Sequence, residues 1–123
     1  MNGLRVLLLD NDGDALRLAS DMLAAEGYTV YACATCEHAT RIATLLRPHV
    51  FLFHGCDGDE AEAFRALLAA DSCAPLVYFS RDHNAYEVYT AKSRNGTYRR
   101  IGNLINTPAA AIRAALLHRL EAI

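Results

Sequence analysis

The 123-residue sequence has little net charge and no long apolar run. Its 12 lysines and arginines against 14 aspartates and glutamates leave a formal charge of −2, no footprint for nucleic acid or an anionic membrane. No apolar stretch approaches the roughly 20 residues of a membrane span. The N-terminus passes from one charge, Arg5, straight into a strand-like run without a cleavage site, so no signal peptide is read. Internal repeats, low-complexity tracts and linkers are also missing. What is left is one soluble globular domain over residues 1–123, 53% hydrophobic and 21% charged, long enough for a proper core. A cytoplasmic location is the expectation.

Cysteine is sparse as well, and in that compartment the four thiols are expected to be free. Cys33-Ala34-Thr35-Cys36 has redox-motif spacing with His38 nearby. Zinc would need two more ligands, and Cys56 and Cys73 lie far off in the sequence. Small buried or half-buried side chains are the preferred reading.

The pattern that is present alternates strand with helix. Leu4–Leu9 is a nearly continuous aliphatic run, the mark of a strand covered on both faces. Ala15–Glu26 carries Leu16, Ala19, Met22 and Leu23 at helical spacing and stops at Gly27. After the β-prone Tyr28–Cys33, Thr35 is placed to cap a helix from Cys36 to Leu46, with Ala39, Ile42, Ala43 and Leu46 on one face. Pro48 closes that helix and Val50–Phe53 forms the next strand. A helix through Ala61–Ala70 follows, with Phe64, Leu67 and Leu68 inward, then a strand over Leu76–Phe79. The last helix, Ala109–Ala122, buries Ile112, Ala115, Leu116 and Leu120. Such alternation predicts βαβ units, a parallel sheet with helices on both faces.

Residues 81–107 break the pattern. Ala85–Ala91 suits a helix start, yet Tyr86–Thr90 is equally β-prone and Asn95-Gly96 is a hairpin signal. A short or distorted helix is slightly preferred over strands around Tyr86–Lys92 and Thr97–Ile101. Leu104-Ile105 then supplies the fifth strand.

Ligands of such folds gather beyond the carboxyl ends of the strands. Asp10, Asn11 and Asp12 follow the first strand, His54 the third and Ser80 the fourth. "VLLLDNDGD" at residues 6–14 opens like an EF-hand loop, but Ala15 stands where glycine is needed and Asp21 where a bidentate glutamate is needed. "VLLLDNDG" also resembles the nucleophile motif of haloacid dehalogenase-type phosphatases, with Asp10 as nucleophile and Asp12 as general acid. Ser80, ending "LVYFS", resembles that family's second motif. That family's later lysine and closing acidic pair should follow the serine, and after Ser80 no strand ends in an Asp pair, which leaves this as the enzymatic alternative.

A third resemblance covers the whole chain. "VLLLDND", Pro48 before "HVFLFH", Pro75 before "LVYFS", and "NLINTP" before the last helix together resemble a response-regulator receiver domain. The resemblance implies a flavodoxin-like, doubly wound, five-stranded parallel sheet with an atypical fourth-helix region. In that family an acidic pair and an aspartate hold Mg²⁺, and the aspartate takes a phosphoryl group from a partner kinase. A hydroxyl and a lysine then bind the phosphoryl oxygens.

Carried over position by position, the match is partial. Asp10 keeps the first acid of the pair, beside Asp12. Asn11 replaces the second acid, and His54 replaces the phospho-accepting aspartate. Ser80 keeps the hydroxyl position. Thr107 stands for the lysine, and Leu104 for the aromatic residue that switches rotamer on activation. An imidazole cannot form an acyl phosphate, and with two carboxylates lost no cofactor is expected, Mg²⁺ included. Asp57 and Asp59 read as helix-start acids rather than a shifted acceptor. His54 is expected to be a neutral filler or, alternatively, a cation whose pKa is raised by Asp10 or Asp12.

The resemblance therefore implies a degenerate receiver of two-component-type signalling that is no enzyme and acts by phosphorylation-independent protein–protein contact. Its partners are expected to be other signalling proteins, an output domain in the same chain, or a second copy; nucleic acid and membrane are not. Tyr86, Tyr89, Arg94, Tyr98, Arg99 and Arg100, with Leu104, form either a solvated edge or the contact surface. The last helix runs to Ile123 without a tail, as in the N-terminal module of a longer protein, though a stand-alone regulator ends similarly.

Overall fold

The computed structural model of the protein describes residues 3–55, 74–89 and 100–121. β1 (Arg5–Leu9), α1 (Gly13–Ala25), β2 (Thr29–Cys33), α2 (Cys36–Leu46) and β3 (Val50–Phe53) alternate strictly. β4 (Leu76–Ser80), β5 (Ala85–Tyr89), β6 (Arg100–Ile105) and α3 (Pro108–Glu121) complete the described elements. The helix expected over Ala61–Ala70, the acids Asp57 and Asp59, Cys56, Cys73 and the Asn95-Gly96 signal lie outside the described residues.

The sheet order is β2-β1-β3-β4-β5-β6. β1 runs parallel to β2 and β3, and β3 parallel to β4. β5 is antiparallel to both β4 and β6. This corrects the expectation of five parallel strands: the described sheet has six, and β5 occupies the place where a distorted helix was preferred. The cause is local. Residues 81–84 make a tight turn ending at Asn84, whose φ of 49° is a left-handed conformation asparagine tolerates. Beyond it Tyr86 and Val88 alternate inward with period two, and pairing to β4 satisfies the backbone that a helix would otherwise satisfy.

Alternation within the strands divides their side chains between two apolar clusters. Val6, Leu8, Val50 and Leu52 pack with Ala19 and Leu23 of α1 and with Ala111, Ile112 and Ala115 of α3. Leu7, Leu9, Phe51 and Phe53 pack with Ala39 and Ala43 of α2. Every residue of β3 is buried, which is why its sequence shows an unbroken apolar run. Each such large side chain contributes about 1.5–3 kcal/mol on leaving water. Two expected core residues sit at the margin instead, Met22 at 53% exposure and Leu46 at 37%.

Helix ends follow their sequence signals. The N–H groups of Asp14 and Ala15 donate to Asp12 Oδ1 at 3.1 and 3.3 Å, capping α1. At its far end Gly27 has φ of 96°, and the N–H groups of Gly27 and Tyr28 donate to the Ala24 and Leu23 carbonyls at 3.0 and 3.2 Å. Thr35 caps α2 by accepting the His38 N–H at 3.2 Å. The Arg5 guanidinium donates to the Leu46 and Arg47 carbonyls at 3.0 and 2.9 Å, satisfying that helix's last turn. Cys33 is buried, with its thiol pushed up to about 11 by burial; it and half-buried Cys36 are free thiols. Among the described residues no helix is long and apolar enough to cross a membrane.

Candidate functional site

Leu9 and Phe53 are register partners at the carboxyl ends of β1 and β3, so the next residues, Asp10 and His54, emerge side by side. The His54 N–H donates to the Leu9 carbonyl at 2.8 Å, and the Asp10 N–H to the Cys33 carbonyl at 3.1 Å. Asp10 is only 4% exposed. Its Oδ1 accepts the Asp12 N–H at 2.9 Å, and its Oδ2 lies 3.2 Å from His54 Nδ1. His54 Nε2 is in turn 3.0 Å from the Tyr86 hydroxyl. Tyr86 reaches this point because β5 returns antiparallel beside β4, opposite Phe79. The His54 ring packs tilted against both Phe79 and Tyr86, with centroids 5.7 and 5.6 Å away, and those two rings also touch each other.

Donor and acceptor rules fix the proton positions. A carboxylate can only accept, so His54 Nδ1 carries the hydrogen that points at Asp10. Burial lowers the His54 pKa below its ordinary value, and this outweighs the opposing hydrogen bond and charge of Asp10. The imidazole is therefore neutral at pH 7 and Nε2 accepts. Burial and the charge of Asp10 push the Tyr86 phenol up to about 12, so it keeps its proton and donates. Tyr86, His54 and Asp10 thus form one directed chain. The contact with Asp10 expected for a cationic His54 forms, and burial opposes the charge that this contact would favour.

Asp10, Asp12, His54 and Tyr86 line a cavity of about 190 Å³ together with Phe79 and Arg81. Arg81 belongs to the β4–β5 turn, and nothing in the sequence marked it. A methyl group on Gly55 would sit 3.0 Å from Arg81 Nη2 and 3.2 Å from Asn11 Oδ1, so glycine leaves the room in which the guanidinium lies.

The remaining sequence candidates scatter. Asn11 is exposed beside the cavity, and Asp12 commits Oδ1 to the α1 cap. Ser80 is 6% exposed and pairs with Ala85, away from the cavity lining. Thr107 does not line the cavity; its Oγ1 accepts the Ala110 N–H at 3.2 Å and caps α3. Tyr86, expected on a contact surface, is 7% exposed and belongs to the cavity. Half-buried Tyr89 donates its hydroxyl to Glu87 at 2.7 Å, and Arg100 lies 3.7 Å from the same carboxylate. Leu104 lines a second, apolar cavity at β6. Arg94, Tyr98 and Arg99 lie outside the described residues. Among the described residues no three His, Cys, Asp or Glu side chains are grouped to hold a metal ion.

The fold is α/β with a mostly parallel sheet, and the charged rim lies at its strand ends. A solved structure similar to it is the receiver domain of NtrC4 from Aquifex aeolicus, with a TM-score of 0.62 and 18% sequence identity over 96% of this chain and 97% of that one. At that identity the likeness is one of fold. No family model matches the sequence, and no curated protein matches it.

Proposed function

We propose that this chain is a receiver-type signalling module in which a fixed hydrogen-bonded chain has replaced the phosphoryl switch. It works through contact with other signalling proteins, an output domain or a second copy, in the cytoplasm, without phosphoryl transfer. The observation that carries this reading is His54 wedged between Asp10 and Tyr86, at 3.2 and 3.0 Å, in the slot where a receiver would present its acceptor aspartate. Mg²⁺ demands hard oxygen ligands in near-octahedral array. Here both Asp10 oxygens already accept hydrogen bonds, and the facing group is a nitrogen. The donor set does not fit that ion. The same engagement, with 4% exposure, disfavours Asp10 as a phosphatase nucleophile.

The test is an NMR titration with Mg²⁺ and beryllofluoride or acetyl phosphate, following the amides of Asp10 and Ser80. No saturable, Mg²⁺-dependent shift is expected; a saturable one overturns the reading. Hydrolysis of a phosphomonoester that Asp10→Asn abolishes would establish the phosphatase instead.

A further inference from the structure

Two cavities share one strand. The first is the rim cavity around His54, walled on one side by Tyr86. The second, of about 210 Å³, is apolar and lies where Val88, Ile101, Leu104 and Ile105 meet Ala114 of α3. Tyr86 and Val88 are successive inward residues of β5, so one strand face borders both. Across the ladder Tyr86 pairs with Ile105 and Val88 with Ile101, and the register between these two pairs is irregular. Three residues of β6, Gly102 to Leu104, span the step that Glu87 alone spans on β5. Gly102 has φ of 66°, which glycine adopts without strain. The second cavity is this bulge's inner side, and the bulge is anchored at one end by the very residue that bonds His54.

We infer that Tyr86 couples the two cavities, so that the grip of His54 on its hydroxyl sets the shape of the apolar cavity beneath β6, and a group filling that cavity alters the grip. A bulge is the compliant part of a ladder, because its extra residues lack paired backbone partners. A packed sheet on either side is not compliant. A displacement of Tyr86 is therefore taken up in residues 102–104 rather than spread through the sheet. This inference stands on the ladder geometry and holds whether or not the chain signals. The other charged or titratable groups facing His54 in its cavity are Asp10, Asp12 and Arg81, and none of them reaches the second cavity's lining.

Coupling between sites is reciprocal, so it is tested from both ends at one fixed pH. Tyr86→Phe removes only the hydroxyl. It is expected to shift the amides of Ile101, Gly102, Leu104 and Ala114 and to speed hydrogen exchange at Val88 and Ile101 by about fivefold or more, the fold-change of one lost hydrogen bond at a buried acceptor. Ala114→Leu fills the apolar cavity from the helix side and is expected to move the His54 Nε2 nitrogen resonance. Leu117→Ala, on the same helix and 60% exposed, should move neither. If Ala114→Leu does not fold, Leu104→Ala enlarges the cavity and serves the same purpose. Shifts from Tyr86→Phe that stop at the rim cavity overturn the inference, as does an unmoved Nε2 resonance in a folded cavity variant.

Discussion

The two halves of the described sheet are built in different ways. From β1 to β3 each parallel strand is reached by a helical crossover, and both crossovers pack their alanines onto the sheet. From β4 to β5 the chain turns back within residues 81–84 and adds its strand antiparallel. The crossover half brings Asp10 and His54 together as neighbours at one rim. The hairpin half turns at that rim, so Tyr86, near the start of β5, sits close to it. A chain of three groups results, with His54 in the middle. In a parallel β5 the residues after a turn at the rim would lie at the opposite end of the sheet.

That contrast can be broken by substitution, beginning with the largest effect. Leu52→Ala, at 0% exposure in the middle of β3, should destabilise the protein by about 2–5 kcal/mol in urea unfolding with an unchanged slope. A much smaller loss would mean that the crossover half is not the main core. Tyr86→Phe should lose about 1–3 kcal/mol by leaving the buried His54 Nε2 without its donor. A neutral result would show the hairpin to be held by ring packing alone.

The pH dependence follows from the same contact. Burial holds folded His54 below its ordinary value of 6.5, so as pH falls the unfolded chain takes up this proton first. The stability this residue contributes is full above that value and is lost as pH drops toward the folded pKa. Subtracting the stability of His54→Gln from that of the parent across pH 5–8 (about the range in which histidine titrates) should isolate it. A difference that grows on acidification would mean a charged His54 and would sink the neutral chain.

Thr107→Ala should lose about 0.5–2 kcal/mol as a missing helix cap, with no other change in the rim resonances. Smallest of all, Glu26→Gln removes an exposed pair to Arg113 at 3.8 Å and should alter stability by less than about 1 kcal/mol.

Legibility in the sequence divided along the same line. The crossover half was readable almost residue by residue, because Thr35, Gly27 and Pro48 punctuate clean apolar periods. The hairpin half was not. Tyr86–Thr90 satisfies a helix pattern and a strand pattern equally, and only pairing with β4 decides between them. The turn that forms carries Asn84, a permitted but weak left-handed signal, without a following glycine. At the rim, Asp10 and His54 were visible as strand-end residues. Their partner Tyr86 was not, since its place depends on a strand direction no short pattern encodes. Thr107 stands where the resemblance places a lysine, and its hydroxyl is spent on capping α3.

The four-residue turn before β5 also bears on the order of assembly. Asp10 and His54 are 44 residues apart, and His54 and Tyr86 are 32 apart, so each contact closes a long loop. The β4–β5 pair closes almost none, and hairpins of that kind form in about 1–10 μs. The hairpin that replaces a helical crossover is thus the part of the sheet able to form before any long-range contact. Pulse-labelled amides of Val77 and Val88 should be protected ahead of those of Leu7 and Leu52, and the rim should be among the last places to become native.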